Sequence, residues 1–248
     1  MIDAQRVLIV LPVRLGSTRL PQKALLDQTG IPLVVHAAQQ ATLSKYADQI
    51  VIAGDADEIR RAVTPFGFDY AETGVHHTSG SSRCAEVLDT HPADIVVNVQ
   101  GDEPEVSPDH IDAVIEALAE PSRPCATLAC PLEPSEKENP NVVKIARSEA
   151  GLGLYFSRAP IPFDRDGRGV AYWRHVGLYA YRPTTLRQFC ALPQSPLELA
   201  EQLEQLRLLE HGIPLYVATH DQPSPAGIDT QEQYDAFVSR WRKQQSQC

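Results

Sequence analysis

The chain has 248 residues, of which 43% are hydrophobic and 22% are charged, and its formal net charge at pH 7 is −10. Such a composition is that of an average globular protein, and the length can bury one large core. The net negative charge argues against a nucleic-acid partner. No apolar run approaches the roughly 20 residues of a membrane-spanning helix, so we expect no membrane insertion. The sequence starts without a signal-peptide pattern, and its five cysteines lack zinc-type spacing, so we expect a cytoplasmic protein with free thiols.

The first predicted element is a buried strand at 7–11, and the loop "PVRLGSTRLPQK" follows it directly. Gly16 lets the loop turn so that backbone N–H groups face an anion. Arg14, Arg19 and Lys23 add three positive charges that suit a triphosphate. The loop matches neither the P-loop pattern nor GxGxxG. A solvated loop with scattered charge is the alternative interpretation.

Short apolar runs then alternate with longer amphipathic segments along most of the chain. The predicted strands are 7–11, 49–53, 95–99, 126–130 and 215–218. The predicted helices between them are 33–43, 56–63, 82–88 and 111–118. Continuous Val/Ile runs separated by helices indicate strands that are buried on both faces of a mostly parallel sheet. We therefore predict one α/β domain over 1–248, with its ligand at the carboxyl ends of the strands.

Acidic residues follow two of these strands. "NVQGDEP" places Asp102 and Glu103 after the strand at 95–99, on the same sheet edge as the cationic loop. Carboxylate oxygens there suit Mg²⁺, which binds through one or two carboxylates together with substrate phosphates. A helix-capping acid or a turn is the alternative for Asp102. Asp229, in "AGIDT", has the alternative of capping the last helix.

The region around 142–181 has a different pattern, with short strand-like pieces, turn residues and clustered aromatic side chains. We predict that it forms a smaller second lobe, which serves as a lid over the pocket and as a dimer interface. A strongly amphipathic helix is predicted over 196–211, and a final helix over 230–241.

Eight segments together resemble one enzyme family. They are "PVRLGSTRLPQKAL", "HTSGSSRCAE", "NVQGDEP", "NPNVVK", "LYFSRAPIP", "RHVGLYAYR", "SPLELAEQLEQLRLLEHG" and "GIDT". In this order, they resemble the CMP-Kdo synthetases, the 3-deoxy-manno-octulosonate (Kdo) cytidylyltransferases of lipopolysaccharide synthesis. The match extends from Val7 to about Trp241. The resemblance implies a Rossmann-like nucleotidyltransferase fold, and transfer of CMP from CTP to a Kdo-type sugar with release of pyrophosphate.

The resemblance also implies a role for individual residues. Catalytic roles fall to Arg14, Lys23 and Asp102. Nucleotide-binding roles fall to Leu15, Gly16, Ser17, Arg19, Lys23, Arg83 and Gln100. The sugar-binding set is Arg158, His175, Tyr179, Glu204 and Gln205. Asp102 and Asp229 match the two aspartates that bind Mg²⁺, and a homodimer is expected.

Several alternatives stay open at this point. His175 and Tyr179 also suit simple strand packing, and Glu204 also suits a solvated helix face. This chain has Ser82 where typical family members have an acid, so the preferred sugar is either Kdo or its 8-amino analogue. A different cytidylyltransferase, or a non-catalytic protein that binds nucleotides, are the more distant alternatives.

Overall fold

The computed structural model describes residues 2, 4–16 and 19–246. In chain order, the strands are β1 (Val7–Pro12), β2 (Gln49–Gly54), β3 (Asp69–Glu72), β4 (Ile95–Asn98), β5 (Cys125–Pro131), β6 (Lys144–Arg147), β7 (Gly153–Ser157), β8 (Trp173–Tyr181) and β9 (Leu215–Thr219). The helices are α1 (Leu33–Ala41), α2 (Asp57–Val63), α3 (Gly80–Val87), α4 (Pro108–Glu116), α5 (Pro183–Ala191), α6 (Pro196–Glu201), α7 (Leu206–Glu210) and α8 (Gln231–Gln245).

A largely parallel central sheet organises the molecule. Its strand order is β3-β2-β1-β4-β8-β5-β9. β1 pairs in parallel with both β2 and β4, and β9 pairs in parallel with β5. β8 is antiparallel to both of its neighbours, β4 and β5. The predicted α/β fold with a mostly parallel sheet is confirmed, and the carboxyl ends of β1 and β4 meet at one edge.

Helices cover both faces of the sheet, which explains the continuous apolar runs in its strands. Ile9 and Leu11 of β1 pack into one cluster with residues of α1 and α4. Leu8 and Val10 point to the other face and pack with residues of α3 and α5. Because successive strand residues alternate between two buried faces, every one of these positions is buried and carries an apolar side chain.

The segment predicted as one helix over 196–211 is two helices, so that prediction is wrong. Gln202 adopts φ 55° and ends α6, and α7 begins four residues later. The buried Arg207 donates from Nε to Oε2 of Glu198 at 2.7 Å. In a continuous helix these two residues would lie roughly 13 Å apart along the axis, so the pair requires the chain to fold back. Glu204 and Gln205 therefore lie in the connection between two helices, and not on one turn of a helix.

The region predicted as a second lobe, 142–181, is built from three antiparallel strands. β6 pairs with both β7 and β8. β8 also lies inside the central sheet, between β4 and β5, so this region is continuous with the main sheet through its last strand. Its roles as a lid and as a dimer interface stay predictions.

Two further expectations concern the described residues. No helix among them is long and apolar enough to cross a membrane. Cys84, Cys125, Cys130 and Cys190 are free thiols, and Cys248 lies outside the described residues.

Candidate active site

A cavity of about 280 Å³ opens at the carboxyl ends of β1 and β4. The predicted cationic loop and the predicted acidic motif both line it. The lining residues are Pro12, Val13, Arg14, Arg19, Lys23, Ala24, His77, Thr78, Ser79, Gly80, Arg83, Gln100, Gly101, Asp102 and Asp229. The structure thus brings the predicted cations, both predicted metal ligands and Arg83 to one place.

Lys23 lies between the two aspartates. Its Nζ donates to Oδ2 of Asp102 at 2.5 Å and to Oδ1 of Asp229 at 2.8 Å. Burial alone would lower the pKa of Lys23, but the two carboxylates outweigh burial and raise the pKa above its ordinary value. Arg19 contacts Asp229 as well, at 3.0 Å from Nη2. The centre of the cavity therefore holds two negative charges that are neutralised by cations of the protein itself.

Neither aspartate caps a helix, which removes the capping alternative for both, although Asp102 does lie in the turn closed by the N–H of Glu103 and the carbonyl of Gln100. Thr230 is the N-cap of α8, and its side chain accepts from the backbone N–H of Gln233. Ser107 is the residue in the N-cap position of α4, several residues after Asp102. The carboxylates of Asp102 and Asp229 thus line the cavity and are not used to cap a helix.

Arg83 is nearly inaccessible, and two other strand ends hold it in place. Its Nη2 donates to Oδ2 of Asp55 at 3.0 Å, and its Nη1 donates to Oγ1 of Thr73 at 2.5 Å. Asp55 follows β2 and Thr73 follows β3. Asp55 was not among the residues predicted from the sequence, although the rule that ligands bind at strand ends points to it.

Asp55 also accepts from the backbone N–H of Leu15, at 3.4 Å. This contact fixes the start of the cationic loop against β2. Arg14 forms no hydrogen bond or ion pair with any other described residue, so its guanidinium is available to a ligand. Gly16 has open space where a Cβ would be, and Ser17 lies outside the described residues.

The first turn of α3 forms one wall of the cavity. A Cβ on Gly80 would lie 3.0 Å from Cγ of Pro12, so a glycine allows α3 to approach β1 closely. His77, which the sequence analysis also missed, contacts Glu86 through Nε2 and lies 3.0 Å from Oγ of Ser82 through Nδ1. The backbone N–H of Gly74 and the imidazole of His77 lower the pKa of Glu86 below its ordinary value.

One predicted sugar-binding residue, Glu204, contacts this wall, and neither Glu204 nor the neighbouring Gln205 is among the residues that line the cavity. Glu204 accepts through Oε2 from Oγ of Ser81 in α3, at 3.1 Å. Gln205 is buried, and its Nε2 has no hydrogen-bond partner among the described residues. Glu204 therefore contacts the protein and is not a solvated helix residue. Gln100 connects the cavity to β8, because its Nε2 donates to the carbonyl of Gly177 at 3.2 Å.

His175 and Tyr179, both on β8, form packing contacts. Nε2 of His175 lies 2.9 Å from Oγ1 of Thr127, and its ring meets Phe156 edge-on at 4.9 Å between centroids. Burial lowers the pKa of His175 to about 3, so it is neutral at pH 7. Tyr179 stacks on Tyr181 at 5.8 Å. These contacts agree with the packing alternative, and a role in sugar binding stays a prediction.

Arg158 lies outside the lining of the cavity. Its guanidinium donates to three backbone carbonyls, those of Glu201, Pro140 and Gln202, at 2.7, 2.9 and 3.3 Å. Its own carbonyl accepts from the buried Lys144 at 2.6 Å. Arg158 therefore joins the second lobe to the connection between α6 and α7 that carries Glu204.

The donor set of the cavity fits Mg²⁺. Asp102 and Asp229 converge on one ammonium nitrogen, so their oxygens are close enough to share one small cation. No group of three or more Asp, Glu, His or Cys side chains suited to a metal occurs among the described residues. Two carboxylates completed by substrate phosphates are a usual arrangement for Mg²⁺.

Burial and the charge of Asp102 raise the pKa of the neighbouring Glu103 to about 8, so that carboxyl is mostly protonated at pH 7.

Comparisons with known proteins agree with this geometry. A family model described as "Cytidylyltransferase" matches residues 8–217. The 3-deoxy-manno-octulosonate cytidylyltransferase of Tolumonas auensis is 43% identical over 235 residues, which are 90% of this chain and 92% of that protein. The enzyme of the same name from Chlorobium chlorochromatii is 41% identical over 248 residues, 97% of this chain and 99% of that protein.

A solved structure is similar over the same extent. It is described as CMP:2-keto-3-deoxy-manno-octonic acid synthetase complexed with CTP, and it matches with a TM-score of 0.92 at 35% identity. The match covers 96% of this chain and 99% of that chain. This chain therefore belongs to the 3-deoxy-manno-octulosonate cytidylyltransferases, within the wider cytidylyltransferase family.

Proposed function

We propose that the protein transfers CMP from CTP to the anomeric hydroxyl of a Kdo-type sugar and releases pyrophosphate. The observation that carries this proposal is the cavity that joins Arg14, Arg19 and Lys23 to the aspartate pair. The solved structure with CTP and the names of the relatives support the same reaction. A non-catalytic protein that binds nucleotides would not need the full set of three cationic side chains and two aspartates, so their presence together argues against that alternative.

In the proposed reaction, the anomeric hydroxyl gives its proton to solvent and its oxygen forms a bond to the α-phosphorus, as the bond from the α-phosphorus to the β-phosphate oxygen breaks. The leaving pyrophosphate takes the electron pair of that bond, and its negative charge grows. Arg14, Arg19 and Lys23 neutralise this charge, which is the main task of a protein in phosphoryl-group transfer. Arg83 is held rigidly by Asp55 and Thr73, and it would orient the cytosine end of the nucleotide.

Asp102 and Asp229 are the residues that would hold Mg²⁺. When bound, such an ion neutralises phosphate charge and lowers the pKa of a coordinated hydroxyl. Glu204 contacts the wall formed by α3 through Ser81, which supports a role for Glu204 and the neighbouring Gln205 in binding the hydroxyls of the sugar. Arg158, together with His175 and Tyr179, completes the proposed sugar-binding set.

We also propose that the protein is a cytoplasmic homodimer. Exposed large apolar side chains support the dimer, because most of those in the described chain fall between 154 and 199. They are Leu154, Phe163, Val170, Leu197 and Leu199. Light scattering coupled to size-exclusion chromatography would measure the mass in solution, and a monomer at micromolar concentration would contradict the proposed dimer.

Pyrophosphate release tests the proposed function directly. Purified protein is incubated with CTP and Mg²⁺, and either Kdo or 8-amino-Kdo is added at equal concentration. Release that requires CTP and one of these sugars is the expected result, and the ratio of kcat/KM values identifies the preferred sugar. Sialic acid and methylerythritol phosphate serve as controls for other cytidylyltransferases. Inactivity with every sugar would contradict the proposal.

A further inference from the structure

Lys23 holds the position in which the two aspartates converge. Its Nζ contacts one oxygen of each aspartate, at 2.5 and 2.8 Å. The Lys23 side chain is only 14% exposed, whereas Asp102 and Asp229 are 32% and 36% exposed. A divalent cation that binds both carboxylates must therefore displace this ammonium or share its ligands.

We propose that Lys23 couples divalent-cation binding to triphosphate binding. This inference rests on the proposed function. In the nucleotide-free protein, the Lys23 ammonium occupies the aspartate pair and opposes a cation there. A nucleotide whose phosphates reach Lys23 offers it a competing anion, and this frees Asp102 and Asp229 for the cation. Because of Lys23, the cation binds the two aspartates more tightly when a triphosphate is also bound.

The backbone around Lys23 supports such an exchange. Its N–H donates to the carbonyl of Leu20 at 3.2 Å, and its carbonyl accepts from the N–H of Leu26 at 3.3 Å. These bonds fix the main chain of the short helical turn Lys23–Leu25. The four-carbon side chain has several rotatable bonds, so once its two aspartate contacts are exchanged for phosphate the ammonium can move without any backbone change.

Arg19 does not play the same part. Among the described residues its guanidinium contacts Asp229 alone and is 70% exposed, so water screens its effect on a cation. Lys23 is the cation that bridges both carboxylates. By linkage, a triphosphate that strengthens cation binding is itself bound more strongly, by the same factor, when the cation is present.

The test measures Mn²⁺, a paramagnetic substitute for Mg²⁺, bound to nucleotide-free protein by electron paramagnetic resonance. The main variant is Lys23→Met, which keeps the length of the side chain and removes its charge. We expect Mn²⁺ to bind this variant at least about tenfold more tightly than the wild type, because the competing charge is gone. Lys23→Gln repeats the measurement if the Met variant fails to fold.

A matched control separates displacement from a general change in charge. Arg14→Met removes one positive charge from the same cavity, but Arg14 contacts neither aspartate. We expect less than about a threefold change in Mn²⁺ affinity for this variant. The double variant Lys23→Met/Asp102→Asn should lose the increase in Mn²⁺ affinity expected for Lys23→Met, because a neutral amide then replaces one of the two carboxylates.

The outcomes distinguish the inference from the proposed function. Equal Mn²⁺ affinity in nucleotide-free wild type and Lys23→Met overturns the coupling, even if the wild type releases pyrophosphate normally. An equal gain in Arg14→Met also overturns it. Inactivity of the wild type with every sugar contradicts the proposed function, whatever Mn²⁺ affinity is measured.

Discussion

Asp102 and Asp229 are held in the cavity by cations and not by helix capping, so substituting either one leaves the fold intact. We expect Asp102→Asn and Asp229→Asn each to lower kcat by about a thousandfold, because each loses a charge that would bind Mg²⁺ in the transition state. Pyrophosphate release measures kcat, and circular dichroism checks the fold. Asp221→Asn, on an exposed loop carboxylate, is the control. Normal turnover in either variant would exclude the two-aspartate site.

Arg14 has no protein partner among the described residues, which leaves its charge for a ligand. We expect Arg14→Ala to raise KM for CTP and to lower kcat, since negative charge grows on the leaving pyrophosphate. A charge-assisted hydrogen bond lost here corresponds to about 1.5–3 kcal/mol in kcat/KM. Arg187→Ala removes an exposed surface pair with Asp89 and should leave both constants unchanged. If the two variants behave alike, Arg14 is only a solvated residue.

At this scale, the sequence predicts the charged clusters that follow strands and misses single residues that act through others, including Asp55, which itself follows β2. Asp102 and the cationic loop were found because each directly follows an apolar run. Asp55 contacts Arg83, which is 28 positions away in the sequence, and His77 contacts Glu86, which is 9 positions away. Neither contact could be predicted from a local sequence pattern. Lys23 contacts Asp102, which is 79 positions away in the sequence, and Asp229, which is 206 positions away. No local sequence pattern encodes contacts over such separations.

The fold-back between α6 and α7 depends on a buried ion pair. Arg207 donates to Glu198 and lies over the ring of Phe189, 5.0 Å from its centroid. We expect Arg207→Met to destabilise the protein by about 3–5 kcal/mol, because it leaves the Glu198 carboxylate buried without its partner. Urea unfolding measures this loss of stability.

The double variant Arg207→Met/Glu198→Leu supplies the control for that prediction. It removes both charges and fills similar volume, so it should recover most of the lost stability. A double variant as unstable as the single one would show that packing of the Arg207 stem, and not the unpaired charge, accounts for the loss.

Elements with strong patterns were predicted closely, and weak or interrupted ones were not. The five predicted strands all exist, because each is a short run of mostly apolar residues, buried on both faces in β1 and β4 and on alternate residues in β9. β3 was missed since only Ala71 of its four residues is buried. The break after α6 was missed because apolar residues keep helical spacing across it, and a left-handed Gln202 leaves no mark in that pattern.

Docking of the C-terminal helix makes the whole molecule sensitive to acid. His36 of α1 lies 2.7 Å from Oγ1 of Thr29 through Nε2, and its ring packs edge-on against Phe237 and Trp241 of α8. Burial lowers the pKa of His36 from 6.5 to about 4. The unfolded chain therefore binds a proton before the folded one does, and this part of the stability is lost as pH falls from about 6.5 towards 4.

His36→Gln should remove that dependence, because glutamine keeps an N–H donor and does not titrate. We expect the stability of the wild type to fall between pH 7 and pH 5 by about 2 kcal/mol more than that of the variant. Urea unfolding at the two pH values measures this difference. An identical pH dependence in both proteins would show that His36 is as accessible to protons in the folded state as in the unfolded chain.

The antiparallel strand β8 separates two groups of strands in the central sheet. β4 and β5 have no direct ladder with each other, and each pairs with β8. A chain that leaves the ribosome from its N-terminus has made β1 to β5 before β8 exists. Until residue 181 has emerged, β4 and β5 each keep a row of unpaired backbone groups, and such open edges invite pairing with other chains. Among the described strands β8 alone joins the two groups into one sheet, so we expect both open edges to persist in the growing chain until β8 arrives.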